Sequence, residues 1–187
     1  MKVKRNKNLN EIGFRKESRF PKEERRKILN ALESVRFKDF KDYSKNFENK
    51  LAKELSGNYF QEQRLFTDIK SQIKNGKSFK YNVDLYNPKL KIAIEIEKTK
   101  TTTLLLDVIK FIIGYRRKKD GNSIIEYGVL IFPDMYRNKN YPDGQGDKPY
   151  NRITNELAFI SSILWIKDIL LIEYDTEQLF YSQESNK

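Results

Sequence analysis

A chain of 187 residues can bury one core of ordinary size and is short for two full domains. Hydrophobic residues make up 38%, with 12 Phe and 11 Tyr, so the 34% charged content marks a charged surface and not disorder, and a net charge of +11 draws polyanions, nucleic acid first. The absence of Cys and His excludes disulfides, thiolate metal sites, cysteine nucleophiles and every hydrolysis that needs an imidazole, which leaves carboxylates, lysine and metal.

Residues 1–20 are rich in Lys and Arg and poor in apolar side chains, which predicts a basic flexible arm ahead of a single domain over 21–187. Pro21 suits a first helical turn, and Ile28, Leu29, Leu32, Val35 and Phe37 follow at helical spacing. Phe47, Leu51 and Leu55 predict a second helix, stopped at Ser56-Gly57-Asn58. Phe60, Leu65, Phe66, Ile69 and Ile73 predict a third, ending at Asn75-Gly76.

The period then drops to two. Phe79, Tyr81, Val83 and Leu85 alternate with Lys80, Asn82, Asp84 and Tyr86, and Asn87-Pro88-Lys89 turns the chain. Leu90, Ile92, Ile94 and Ile96 then alternate with Lys91, Ala93, Glu95 and Glu97, so the two strands make a hairpin. Thr99 to Thr103 offers caps for a helix over 102–119 whose only polar stripe is Asp107, Lys110, Gly114 and Arg117. Such a helix needs the sheet on one side and, beyond it, either the N-terminal helices or a partner chain. Residues 124–132 form an apolar run typical of a buried central strand, and Pro133 ends it. The Pro- and Gly-bearing stretch 134–150 is expected as a long loop, 151–165 as a helix and 169–174 as a last strand. The fold class is therefore α/β, a central mixed β-sheet flanked by helices on both faces. No apolar run approaches the roughly 20 residues of a membrane span or follows the basic N-terminus as a secretion signal would, so no membrane partner and a cytoplasmic location are expected.

Alternation puts Glu95 and Glu97 on one strand face, with Asp84 directed there from the neighbouring strand. Three such acids repel one another unless a cation neutralises them, and hard oxygen donors suit Mg2+, with Mn2+ as a substitute. The plainer alternative is a solvated strand face on which the glutamates pair with Lys91, Lys98 or Lys100.

Val83-Asp84, the step of eleven residues to Glu95-Ile96-Glu97, the helix beyond and the strand Val129-Leu130-Ile131-Phe132-Pro133 resemble the core of the PD-(D/E)XK nuclease superfamily. Within it the pattern, over residues 78–133, is most similar to restriction endonucleases of the BamHI and BglII kind. The resemblance implies a restriction-endonuclease-like fold, a catalytic set of Asp84, Glu95 and Glu97, and metal ligation by Asp84, Glu95 and the Ile96 carbonyl. Glu97 stands where most of the superfamily has lysine, which leaves one-metal and two-metal mechanisms and a general-base role open. Lys98 could take the lysine role only through a bulge. A helix acid near the metal is also implied, with Glu48, Glu62 and Asp68 as candidates.

DNA contacts are expected from Arg137, Lys139, Gln145, Lys148 and Arg152 in the 134–152 stretch, which reads equally as a recognition loop or as a disordered charged insertion. The functional expectation is a type II restriction enzyme, a metal-dependent endodeoxyribonuclease that hydrolyses both strands of double-stranded DNA at a short palindrome as a homodimer. A repair or junction nuclease on the same core, or a non-catalytic nucleic-acid-binding protein, are the alternatives.

Overall fold

The computed structural model describes residues 1–12, 19–65, 82–98, 104–138, 141–145, 148–160 and 164–177. In chain order these form β1 (Val3–Asn8), α1 (Leu9–Ile12), α2 (Lys22–Ser34), α3 (Phe40–Glu54), β2 (Phe60–Arg64), β3 (Asn82–Asn87) and β4 (Ile92–Ile96). There follow α4 (Leu104–Arg116), the two-residue strands β5 (Lys118–Lys119) and β6 (Asn122–Ser123), β7 (Tyr127–Pro133), β8 (Tyr136–Asn138), β9 (Tyr141–Gln145), α5 (Pro149–Ile160) and β10 (Asp168–Tyr174).

Six of the strands share one sheet in the order β1-β10-β7-β4-β3-β2. The apolar runs of β7 and β10 lie parallel to each other, and β4 lies parallel to β7, as continuous hydrophobic strands covered on both faces should. The outer pairs, β1 with β10 and β2 and β4 with β3, are antiparallel. One face of the sheet, carrying Leu85, Ile92, Ile94, Ile96, Val129, Ile131, Leu170 and Ile172, is covered by α2 and α3 through Ile28, Leu32, Phe47 and Leu51. The other, carrying Val83, Ala93, Leu130, Phe132 and Leu171, is covered by α4 and α5 through Val108, Phe111, Ile153 and Leu157. The expected mixed sheet with helices on both faces is therefore present.

Local chemistry explains the turns. The Asp39 side chain accepts the Asp42 N–H at 2.7 Å and starts α3. Asn87 Oδ1 accepts from the N–H groups of Lys89 and Leu90, both at 3.1 Å, and folds β3 back onto β4. Gly128 lets α4 approach β7 closely: a Cβ there would stand 2.3 Å from the Phe111 ring. Gly128→Ala is expected to lower stability by about 2 kcal/mol through overpacking. Denaturant unfolding with an unchanged midpoint would show that α4 is not seated so tightly.

Three stretches differ from expectation. Residues 3–8, expected within a flexible arm, are an edge strand on β10, because Arg5 reaches the buried Glu173 through two hydrogen bonds at 2.5 and 2.7 Å and lies over the Tyr150 ring. Residues 60–64, expected in a third helix, are β2, since the open edge of β3 offers more backbone pairing than an isolated helical turn can; the remainder of that helix, 66–73, lies outside the described residues, as do the caps at 99–103. The stretch expected as a loop over 134–150 contains the β8–β9 hairpin and the start of α5.

The polar stripe of α4 also faces the opposite way. Asp107 is buried, whereas Leu105, Leu106 and Ile109 are 39%, 52% and 40% exposed. The N-terminal helices lie across the sheet and do not cover that apolar face.

Candidate active site

The site begins where β3 and β4 part. Their register is continuous from Asn87↔Ile92 to Leu85↔Ile94, and one step further the Asp84 carboxylate, not a backbone carbonyl, accepts the Ile96 N–H at 2.7 Å. A side chain inserted between two strands holds them apart and fixes its own direction. Asp84 therefore stands beside Glu95, whose side chain lies on the α4 face with Ala93 and is only 5% exposed.

On α4, Asp107 and Lys110 are one turn apart and share a helix face. Lys110 Nζ lies 2.9 Å from Glu95 Oε1 and 2.8 Å from Asp107 Oδ1. Asp107 also hydrogen-bonds Glu97, so both glutamates of β4's end connect to this helix. On the opposite side Lys98 Nζ turns to α3, reaching Ser44 O at 2.9 Å and Glu48 Oε1 at 2.5 Å. Lys98, just beyond the end of β4, is thus directed to α3 and away from Glu95.

Charge is held here at a cost. Burial lifts the Asp84 pKa to about 6, with repulsion from Glu48 and Asp107 adding to it and the Ile96 N–H and Lys110 opposing it. Burial also raises Glu95, reinforced by Asp84 and Asp107 against the pull of Lys110. Asp107 is raised by burial too, and its bonds to Lys110 and Glu97 limit the rise. For Lys110, burial works against the charge, yet Glu95 and Asp107 outweigh it and raise the pKa above that of an ordinary lysine. Perturbed acids of this kind cluster at functional sites.

The rim of the site is set from both sides. Tyr174 OH donates to the Glu97 carbonyl at 3.2 Å, and its oxygen lies 2.6 Å from that of Tyr43, so α3 and β10 together fix the backbone leaving β4. Tyr136 of β8 is close enough for burial and then Glu97 to push its phenol pKa up, so the β8–β9 hairpin starts beside the site.

Asp84 and Glu95 are thus brought together, and Glu97 joins them through Asp107. Among the described residues, however, no three acids already form a cage shaped for a metal ion; the ammonium of Lys110 stands among them. Of the candidate helix acids, Glu48 bears on Asp84, Glu62 lies on β2 and Asp68 is outside the described residues. Asp107 and Lys110 were not among the sequence candidates. The signal for them was an acid and a base one turn apart in an otherwise apolar helix, read there as a wetted stripe. Lys148 and Arg152 are exposed near the start of α5, where Arg152 pairs with Glu156 at 2.9 Å. The side chains of Arg137, Lys139 and Gln145 lie outside the described residues.

Comparison with known proteins gives two findings. Residues 10–174 match the family model described as "Putative halobacteria restriction endonuclease". Among solved structures, the restriction endonuclease BglII complexed with a DNA 16-mer is similar with a TM-score of 0.60 at 13% identity, over 94% of this chain and 77% of that one. No curated protein sequence matches significantly.

Proposed function

This chain belongs to the halobacteria restriction endonuclease family, and from that premise we propose that it is a Mg2+-dependent endodeoxyribonuclease of type II, cutting both strands of a short palindromic site as a homodimer. The observation that carries the metal dependence is the pair of a buried Glu95 and a half-buried Asp84, both with raised pKa values, where β3 and β4 part. Two neighbouring carboxylates, with the Ile96 carbonyl one residue beyond Glu95, are a hard-oxygen donor set that fits Mg2+ or Mn2+.

Asp84, Glu95 and the Ile96 carbonyl would hold a divalent ion, which when bound would supply positive charge against a phosphodiester and acidify water. Asp84 and Glu95 would hold it, Asp84 kept in place by the Ile96 N–H and Glu95 positioned by Lys110 before the ion arrives. Glu97, at the end of the same strand and linked to Asp107, accepts a proton from the attacking water. A net charge of +11 favours the DNA backbone, with Lys148 and Arg152 exposed where the β8–β9 hairpin leads into α5.

Dimerisation is supported by the exposed Leu105, Leu106 and Ile109, an apolar strip on the helix that carries Asp107 and Lys110. A second copy packed there would cover it and set two sites in two-fold relation, matching a palindrome.

The purified protein is incubated with plasmid DNA and Mg2+ and the product ends are sequenced. A single recurring symmetric cut that EDTA stops is the expected result. Cleavage guided by branches or lesions would point to a repair nuclease on the same core, and no cleavage with Mg2+ or Mn2+ would favour a non-catalytic binding protein.

A further inference from the structure

Lys110 has no assigned task in the reading above beyond fixing Glu95, yet its position is specific. The ammonium lies 2.9 Å from Glu95 Oε1 and 2.8 Å from Asp107 Oδ1, and both carboxylate side chains are 5% exposed against 20% for Lys110. A single positive charge therefore sits against the one glutamate that the nuclease reading gives to the metal.

Two cations cannot occupy one face of a buried carboxylate without strong mutual repulsion. Asp107 offers the ammonium a second partner, one turn back on its own helix, so the lysine can give up Glu95 and keep an ion pair. The lysine stem is long and rotatable, and its partially exposed head has room to move. We propose that Lys110 is an internal counter-ion for Glu95: it neutralises the site before metal arrives, competes with the divalent ion for that carboxylate, and withdraws onto Asp107 when the ion binds. This rests on the metal-dependent nuclease reading. Lys110 thereby acts as a positioning residue that keeps the buried Glu95 and Asp107 together in the metal-free protein and sets the affinity for metal.

The consequence is opposite to that of a structural salt bridge. Removing the charge takes away a competitor for Glu95, so divalent binding tightens at a pH that keeps the acids ionised, whereas losing a mere brace loosens α4 and weakens it. Full-length wild type, Lys110→Met, Lys110→Gln and Lys110→Arg are titrated with Mn2+ at about pH 8 without DNA, free Mn2+ being counted by electron paramagnetic resonance. Lys110→Met and Lys110→Gln are expected to bind about tenfold more tightly or better, with Lys110→Arg close to wild type. Gln keeps hydrogen bonding without charge, so it decides the matter if the Met variant does not fold. Unchanged or weaker Mn2+ binding by Lys110→Gln, with wild type binding normally, overturns the counter-ion role alone. No Mn2+ binding by either protein removes the metal-dependent reading and this inference with it.

Discussion

Asp84→Ala and Glu95→Ala are each expected to abolish Mg2+-dependent cleavage, lowering the rate by about 10^3-fold or more, equivalent to about 4 kcal/mol of transition-state stabilisation. The two acids come from adjacent strands and hold one spot, so neither can cover for the other. DNA binding is expected to persist in both variants, because it draws on the excess of basic residues and not on these two carboxylates. Alanine at 84 also leaves the Ile96 N–H without its acceptor, a structural injury separate from the lost ligand. Asp84→Asn keeps an oxygen for that N–H and is the cleaner variant; it too should be inactive. Wild-type cleavage by either Asp84→Asn or Glu95→Ala, measured as a single-turnover rate on plasmid DNA, would remove the proposed site.

The same Asp84→Asn variant is expected to be more stable than wild type when metal is absent. Burial lifts the Asp84 pKa from 3.8 to about 6, so the folded protein holds this proton more tightly than the unfolded chain does. The group therefore favours the folded state fully below about pH 4, and that advantage is lost as pH rises through about 6. Above this window the charged carboxylate costs about 3 kcal/mol relative to its protonated form. Asparagine makes the Ile96 contact without the charge, so in EDTA the variant should gain that amount at about pH 8 and almost nothing near pH 4. Divalent ions reverse the order, since wild type alone gains binding energy from them. Urea unfolding at both pH values, with and without Mg2+, tests this; a wild type as stable as the variant in EDTA at the higher pH means Asp84 carries no such burden.

The hairpin of β3 and β4 was legible because β4 alternates strictly, with Ile92, Ile94 and Ile96 on one face and Ala93 and Glu95 on the other; β3 does not, since Val83 and Leu85, expected on one face, lie on opposite ones. The apolar runs that became β7 and β10 were equally plain, as was their central, parallel setting. Elsewhere local pattern misled. Phe60 and Leu65 fit a helical period, but residues 60–64 joined an edge that nothing in their own sequence announces. Lys4 and Arg5 read as part of a loose basic arm until their acidic partners, Asp134 and Glu173, came from the far end of the chain.

The sequence alone determined the α/β class, the β3–β4 hairpin and the acids at its end, because periodicity and alternation are properties of neighbouring residues. Only the tertiary structure decided which way α4 faces. The usual rule turns a polar stripe to water, and here Asp107 and Lys110 turn inward because Glu95 on the sheet offers them charge to meet, at the expense of leaving Leu105, Leu106 and Ile109 outside. A helix chooses its buried face by the partners it finds across space, and those partners are not written in its own spacing.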